Sequence, residues 1–170
     1  TDFIGRVGGI ASASKIAISE MAALGAVTDA SAQSIEIAGT SMNKFISALM
    51  SNTENIAYAA NISVKDLQEL INNGQTMEAV VRVLESMQTM SRGAQSALLK
   101  ELGSEGARMN QYVAALVSNL DMLKEQLAIS RDAFEENVSV INEYNVKQES
   151  AAGILERMKN SFKDAFVNSR

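Results

Sequence analysis

The 170 residues contain no cysteine, no proline, no histidine and no tryptophan, and aromatics amount to only 5% of the chain. Without cysteine there are no disulfides, thiolate metal sites or thiol nucleophiles, and the redox compartment is unreadable. Without histidine, imidazole general-base chemistry and the commonest metal ligand are gone. Without proline, no helix is broken by a missing N–H, so stops fall to glycine and to capping residues. Ala, Leu, Ile, Val and Met carry most of the 46% that is hydrophobic. A pool this poor in rings suits helix-on-helix packing, and an all-α chain is expected.

Positive charge is short as well: 15 Lys and Arg against 20 Asp and Glu leave a formal charge of −5. The basic footprint that supplies most affinity for a phosphate backbone is missing, so no direct nucleic-acid partner is expected. No apolar run approaches the roughly 18 residues of a membrane-spanning helix, the longest being "YVAALVSNL", and no membrane contact is expected in this region. What remains is enough chain for one ordinary domain that buries roughly 70% of its unfolded surface. It opens on Thr1 with neither an initiator Met nor a signal-peptide pattern, so a fragment of a longer protein is expected.

Apolar spacing and punctuation outline the elements. "IASASKIAISEMAAL", Ile10 to Leu24, carries helical periodicity and is followed by Gly25, the usual residue at a helix stop. A short helix capped by Thr28 or Asp29 comes next, then a break at Gly39-Thr40, then a helix burying Met42, Phe45, Ile46 and Leu49. "NISVKDLQELINNGQTMEAVVRVL", Asn61 to Leu84, reads as two amphipathic helices and a tight turn. Ser63 and Asp66 form a capping box, Ile62 staples onto Leu67, and Val64, Leu67, Leu70 and Ile71 make the apolar face. Gly74 ends that helix and Thr76 caps the next, whose stripe is Met77, Val80, Val81, Leu84 and Met87, with Glu78 and Arg82 paired on its outer side.

Gly103-Ser104 is a further stop and cap, and from Gly106 to Gly153 neither glycine nor proline intervenes. One helix filling that gap would reach roughly 70 Å. Leu120, Leu123, Leu127, Phe134, Val138 and Ile141, and later Ala152, Leu155 and Phe162, outline a loose coiled-coil seam, made defective by Ser130, Asn145 and Gln148. The expected architecture is a compact lobe of short helices over about residues 10–118. A long amphipathic helical segment over 119–170 comes after it, projecting or paired as a coiled coil or hairpin.

Motifs that would carry chemistry dissolve on inspection. A reading helix from Thr76 would offer a DNA groove Thr76, Glu78, Arg82, Glu85 and Gln88, in which carboxylates outnumber the guanidinium, so an αα-hairpin inside a helical domain is the better reading. "GIASASKI", Gly9 to Ile16, matches a phosphate loop at its first Gly and at Lys15, but Ser14 replaces the second Gly and Ile16 the magnesium-binding hydroxyl. Asp121 with Glu125, and Asp132 with Glu136, lie one helical turn apart with Lys124 and Arg131 interleaved, which fits a solvated helix face better than a cation site. Glu149-Ser150 matches the acid and its neighbour in lytic transglycosylases, but sits in a polar helix beside Lys147 without that family's further pattern. Of the nine Met, Met21, Met42, Met77, Met87 and Met122 sit on apolar stripes and are expected to fill core. No catalytic, cofactor-binding, metal or nucleic-acid residue is assigned, and no cofactor is expected.

The order of the pieces resembles the core region of phage tail tape measure proteins, also called minor tail proteins, across nearly the whole chain. "DFIGRVGGIASASKIAISEMAALGAVTDASAQSIEIAGTSMNKFISAL" looks like that family's opening, and "AANISVKDLQELINNGQTMEAVVRVLESM" like the stretch after it. "LLKELGSEGARMNQYVAALVSNLDMLKEQLAISRDAFEENVSVINEY", with Leu102-Gly103 as its marker, and "QESAAGILERMKNSFKDAF" are similar to the next block and its end.

The resemblance implies a structural protein of a virion or prophage, not an enzyme, located in the tail and assembled in the bacterial host cytoplasm. Several copies would lie along the tail axis, partnered by one another and by tail-tube, tail-tip and tail-chaperone proteins, the scaffold's extent setting tail length. Made entirely of helix, this chain would reach only about 255 Å, and its glycine stops argue that much of it folds back. The region is therefore expected to serve docking or oligomerisation and not to be the ruler itself. Two other readings stay open: a generic helical adaptor or coiled-coil interaction module, and a fragment of a cell-wall hydrolase acting through Glu149.

Overall fold

The computed structural model describes residues 2–133, 135 and 136, and every regular element among them is a helix, so the all-α expectation is borne out. Eight helices come in order: α1 (Asp2–Ala13), α2 (Ile18–Ala30), α3 (Ile35–Ser51), α4 (Thr53–Ala60), α5 (Val64–Asn72), α6 (Thr76–Gln88), α7 (Arg92–Glu101) and α8 (Ala107–Ser118). A ninth, α9, begins at residue 120 and is helical through residue 133. The chain divides into units 1–131 and 132–170. The first holds α1 to α8 and the greater part of α9; of the second, residues 132, 133, 135 and 136 are described and are helical. The expected seam from Phe134 through Phe162, and Glu149-Ser150, lie outside the described residues.

Five of the helices α1 to α8, namely α1, α2, α4, α5 and α7, are ended by single left-handed residues. Lys15, Ala32, Asn61, Gly74 and Gly103 all have φ between 53° and 77°. After α5, the Gly74 N–H donates to Ile71 O at 3.1 Å and the Gln75 N–H to Leu70 O at 2.8 Å. After α7, the Gly103 and Ser104 N–H groups bond Lys100 O and Leu99 O in the same way. These are Schellman turns, which satisfy carbonyls that the last helical turn leaves open. Ala32 and Asn61 close α2 and α4 with the same pair of bonds, and Ile16 N–H reaches back to Ala11 O beyond Lys15. Outside glycine the left-handed conformation costs roughly 1 kcal/mol or more, and at Lys15 and Ala32 the backbone hydrogen bonds of the turn offset it.

Several expected boundaries are corrected accordingly. Gly25 does not stop a helix: α1 has already ended at Ala13, and α2 runs through Gly25 to Ala30, with Thr28 and Asp29 in its last turn and not at a cap. Gly39 does not break α3. It lies buried within that helix, where an added Cβ would come within 3.1 Å of Arg6 Cβ, so its smallness lets α1 approach α3. Thr76 is the first residue of α6 and not its cap. Its buried hydroxyl instead donates to Ser14 O at 2.6 Å, fastening the end of α1 to the start of α6. Gly106, not Ser104, is the N-cap of α8. Ser63 does cap α5, its Oγ accepting from the Asp66 N–H at 3.3 Å.

The long helix expected from Gly106 is interrupted at Asn119, whose side-chain amide donates to Ala115 O at 2.8 Å and to Ser31 Oγ on the α2–α3 turn at 3.3 Å. A side chain bonding into the ladder is a physical cause of a helix break. Beyond this break α9 stays on the lobe, where Leu120, Leu123 and Leu127 are buried in the common core, so packing continues past residue 118.

Two helices hold the centre. α3 packs on α1, α2, α4, α6 and α8, and α6 packs on α3, α4, α5 and α8. Their buried sets are Ala38, Gly39, Ser41, Met42, Phe45, Ile46 and Leu49, and Thr76, Met77, Ala79, Val80, Val83, Leu84 and Met87. Small residues let the backbones close in, while Phe45, Met42 and Leu84 fill the space between. At about 2–5 kcal/mol for each large core side chain truncated to Ala, this burial dominates the lobe's stability.

One polar bridge crosses the core: Tyr112 Oη on α8 lies 3.1 Å from Thr28 Oγ1 on α2, which in turn donates to Leu24 O at 2.8 Å. Burial pushes the Tyr112 hydroxyl up to about 12 from its ordinary 10, with the Thr28 hydrogen bond opposing the shift. Ionisation is thus disfavoured in the folded chain alone. Below the unfolded-state value of 10 the tyrosine's contribution is complete, and it is lost as pH rises towards the folded-state value near 12. The loss runs at no more than about 1.4 kcal/mol per pH unit. Urea denaturation between about pH 9 and about pH 12 is therefore expected to show a steeper fall in stability for the natural chain than for Tyr112→Phe; parallel slopes would contradict the bridge's burial.

Candidate docking groove

The structure bears on the sequence motifs that lie within the described residues. α6, the helix that would have read DNA, is enclosed by α3, α4, α5 and α8 and turns its long stripe into the core. Glu78, Arg82 and Gln88 are left at the surface, while Glu85 holds the Lys124 ammonium of α9. The hydrogen bond from Lys124 to Glu85 pushes the ammonium's pKa up. The segment Gly9–Ile16 is the end of α1 and the turn after it: the Ser14 hydroxyl donates to Ile10 O at 2.5 Å and the Lys15 stem lies over Gly74. At the start of the next helix, the Ala17 N–H already donates to the Glu20 carboxylate at 3.0 Å. That helix entrance is occupied by the chain's own anion.

Asp121 and Glu125 are exposed on α9, and no group of three or more metal-binding side chains forms among the described residues. Met21, Met42, Met77 and Met87 are buried as expected. Met122 is not: it is 38% exposed, on the outer side of α9, because Leu120, Leu123 and Leu127 take the core-facing side.

What sequence reasoning missed is a groove of about 830 Å³ between α3 and the start of α8. One wall is a stripe of α3, with Glu36, Ile37, Thr40, Ser41 and Lys44 at helical spacing; the other is the chain from Glu105 to Met109. Met109 is buried and Ile37 half-buried, giving the groove an apolar floor. Ser41 is only 4% exposed and lines the groove, and among the described residues its hydroxyl makes no hydrogen bond.

Both helices enter the groove by their N-terminal turns, and neither Ser34 nor Gly106, their N-caps, supplies a side-chain cap. Free backbone N–H groups at such a turn attract negative charge. Lys44 and Arg108 stand at the edge, exposed, and form no ion pair among the described residues. Two carboxylates share the groove: Glu36 in the first turn of α3, and Glu105 just before the α8 cap. The arrangement can accept a carboxylate-bearing surface with an apolar ridge. Nothing in the chain foretells it locally, since it exists only once α3 and α8 meet.

No family model matches the chain, and neither the curated proteins nor the solved structures compared with it give a match.

The two kinds of buried hydroxyl should behave differently. Thr76→Val strands the Ser14 carbonyl and is expected to lower unfolding free energy by about 1–3 kcal/mol, whereas Ser41→Ala is expected to change it by less than about 0.5 kcal/mol. Urea titrations of the two variants check this. Equal losses would mean that Ser41 is a structural group.

Proposed function

We propose that this chain is a docking and oligomerisation element of a phage tail tape measure protein, a structural part of a longer scaffold and not an enzyme. The observation that carries the docking reading is the groove, in which an apolar floor, two uncapped helix entrances and two cations without an ion pair among the described residues meet on the surface of a helical lobe. Support for the tail assignment comes from the sequence, in the order of the blocks that resemble that family. The lobe's shape fits an anchoring part: helices this short, folded back at every left-handed turn, convert few residues into length. A ruler needs extended helix, and that task falls to other parts of the parent scaffold.

The test separates ruler from anchor in the phage that carries the parent gene. In-frame deletions in the parent outside this region are expected to shorten the tail by about 1.5 Å for each helical residue removed, as measured by electron microscopy. Removal of residues 1–131 is expected instead to abolish tail assembly without yielding a new, shorter length. Tails of unchanged length after the outer deletions would overturn the tape measure reading.

A further inference from the structure

α9 distributes its charges unevenly around its axis. Lys124 and Arg131 lie on the flank turned towards the lobe, and both are engaged there, Lys124 with Glu85 of α6 and Arg131 with Glu20 of α2 at 2.7 Å. At 100° per residue, Met122, Glu125 and Ile129 fall together on the opposite side, with Asp121 at their edge. Of these, Met122 is exposed by 38% and Ile129 by 50%, and Asp121 and Glu125 also reach the surface. Glu125 has no cationic partner among the described residues, while Asp121, at the edge, also feels the Lys124 ammonium through space. The cations face inwards, and an acidic surface with an apolar ridge is left facing out.

The groove between α3 and α8 offers the converse: Ile37 and Met109 below, Lys44 and Arg108 at the edge, and the unbonded Ser41 hydroxyl beside the open N–H groups at the start of α8. Its own acids, Glu36 and Glu105, each sit at a helix entrance, where the macrodipole offsets their charge. The cations at the edge have no such offset.

We propose that this groove receives the outer face of α9 from a second copy of the chain, joining lobes head to tail. Met122 and Ile129, about 10 Å apart along the helix, rest on Ile37 and Met109, while Glu125 and Asp121 meet Arg108, Lys44, Ser41 and the α8 entrance. Because groove and helix face are different surfaces of one lobe, the contact is heterologous, and every added copy leaves one groove and one α9 face open. The proposal rests on the docking role above and names its partner.

The experiment is sedimentation equilibrium on the full 170-residue chain. The natural chain is expected to gain mass with concentration and to pass beyond the dimer. Lys44→Glu with Arg108→Glu closes the groove to carboxylates, and Asp121→Lys with Glu125→Lys reverses the α9 face; each pair is expected to weaken association by more than about tenfold. Circular dichroism checks that both variants keep their helices, and their mixture tests them further. Each retains the surface that the other has lost, and the reversed groove of one is again opposite in charge to the reversed α9 face of the other, so equal amounts are expected to recover association, at least to the dimer. A natural chain that stays monomeric at millimolar concentration overturns the proposal, as does association left intact by either pair, or a mixture that fails to dimerise. A monomeric result leaves docking to other partners standing, while unchanged tail lengths defeat the tail reading and leave the self-contact standing.

Discussion

A helix that hides Met77, Ala79, Val80, Val83, Leu84 and Met87 from water has to be surrounded, and α6 is surrounded by α3, α4, α5 and α8. α3 makes the same demand through Ala38, Met42, Phe45, Ile46 and Leu49, and meets it with α1, α2, α4, α6 and α8. The remaining helices are short, and isolated helices of their length are marginal in water. They persist because they bury stripes against this central pair or, in the case of α7, against α4. The left-handed turns arise from the same requirement: a chain that must lay so many short helices around two others has to reverse direction often, and at these turns backbone N–H groups reach back to the last carbonyls of the helix.

Local features of this fold are legible in the sequence. Ser63, Gly74 and Gly103 act on groups within a turn of themselves, and the structure places each where the residue pattern puts it. The stripes of α3 and α6 are legible too, since 3.6-residue spacing of Met, Phe, Ile, Leu and Val leaves little choice of inward face. The errors are tertiary in origin. Gly25 and Gly39 look like stops because glycine commonly comes after a helix, but both lie inside helices, and at Gly39 the missing side chain serves the approach of α1. The real stops at Lys15 and Ala32 look ordinary, because neither residue type favours the left-handed region. Asn119 carries no conspicuous break signal either; its amide interrupts the helix by reaching Ser31, a partner far away in the chain.

The surface is less legible than the core for a related reason. A charge on a helix means little until its neighbours are known: Lys124 and Arg131 read as interleaved solvated residues, yet both bind the lobe, and this inward pairing leaves Asp121 and Glu125 to face outwards. The groove likewise needs the N-terminal turns of α3 and α8 side by side, two segments far apart in sequence. The surface of this lobe is made by the shape and charge of assembled helices. Its buried hydroxyls at Ser14, Thr28 and Thr76 bond within and between helices, while Ser41 opens onto the groove.

Native-state amide hydrogen exchange tests the primacy of the central pair most directly. The N–H groups of Phe45, Ile46, Val80, Val83 and Leu84 should exchange only through global unfolding, with an opening free energy equal to that from urea denaturation, while α7 and the helix ends open at lower cost. Exchange of the α3 and α6 amides through a cheaper, local opening, with an outer helix better protected than both, would contradict it.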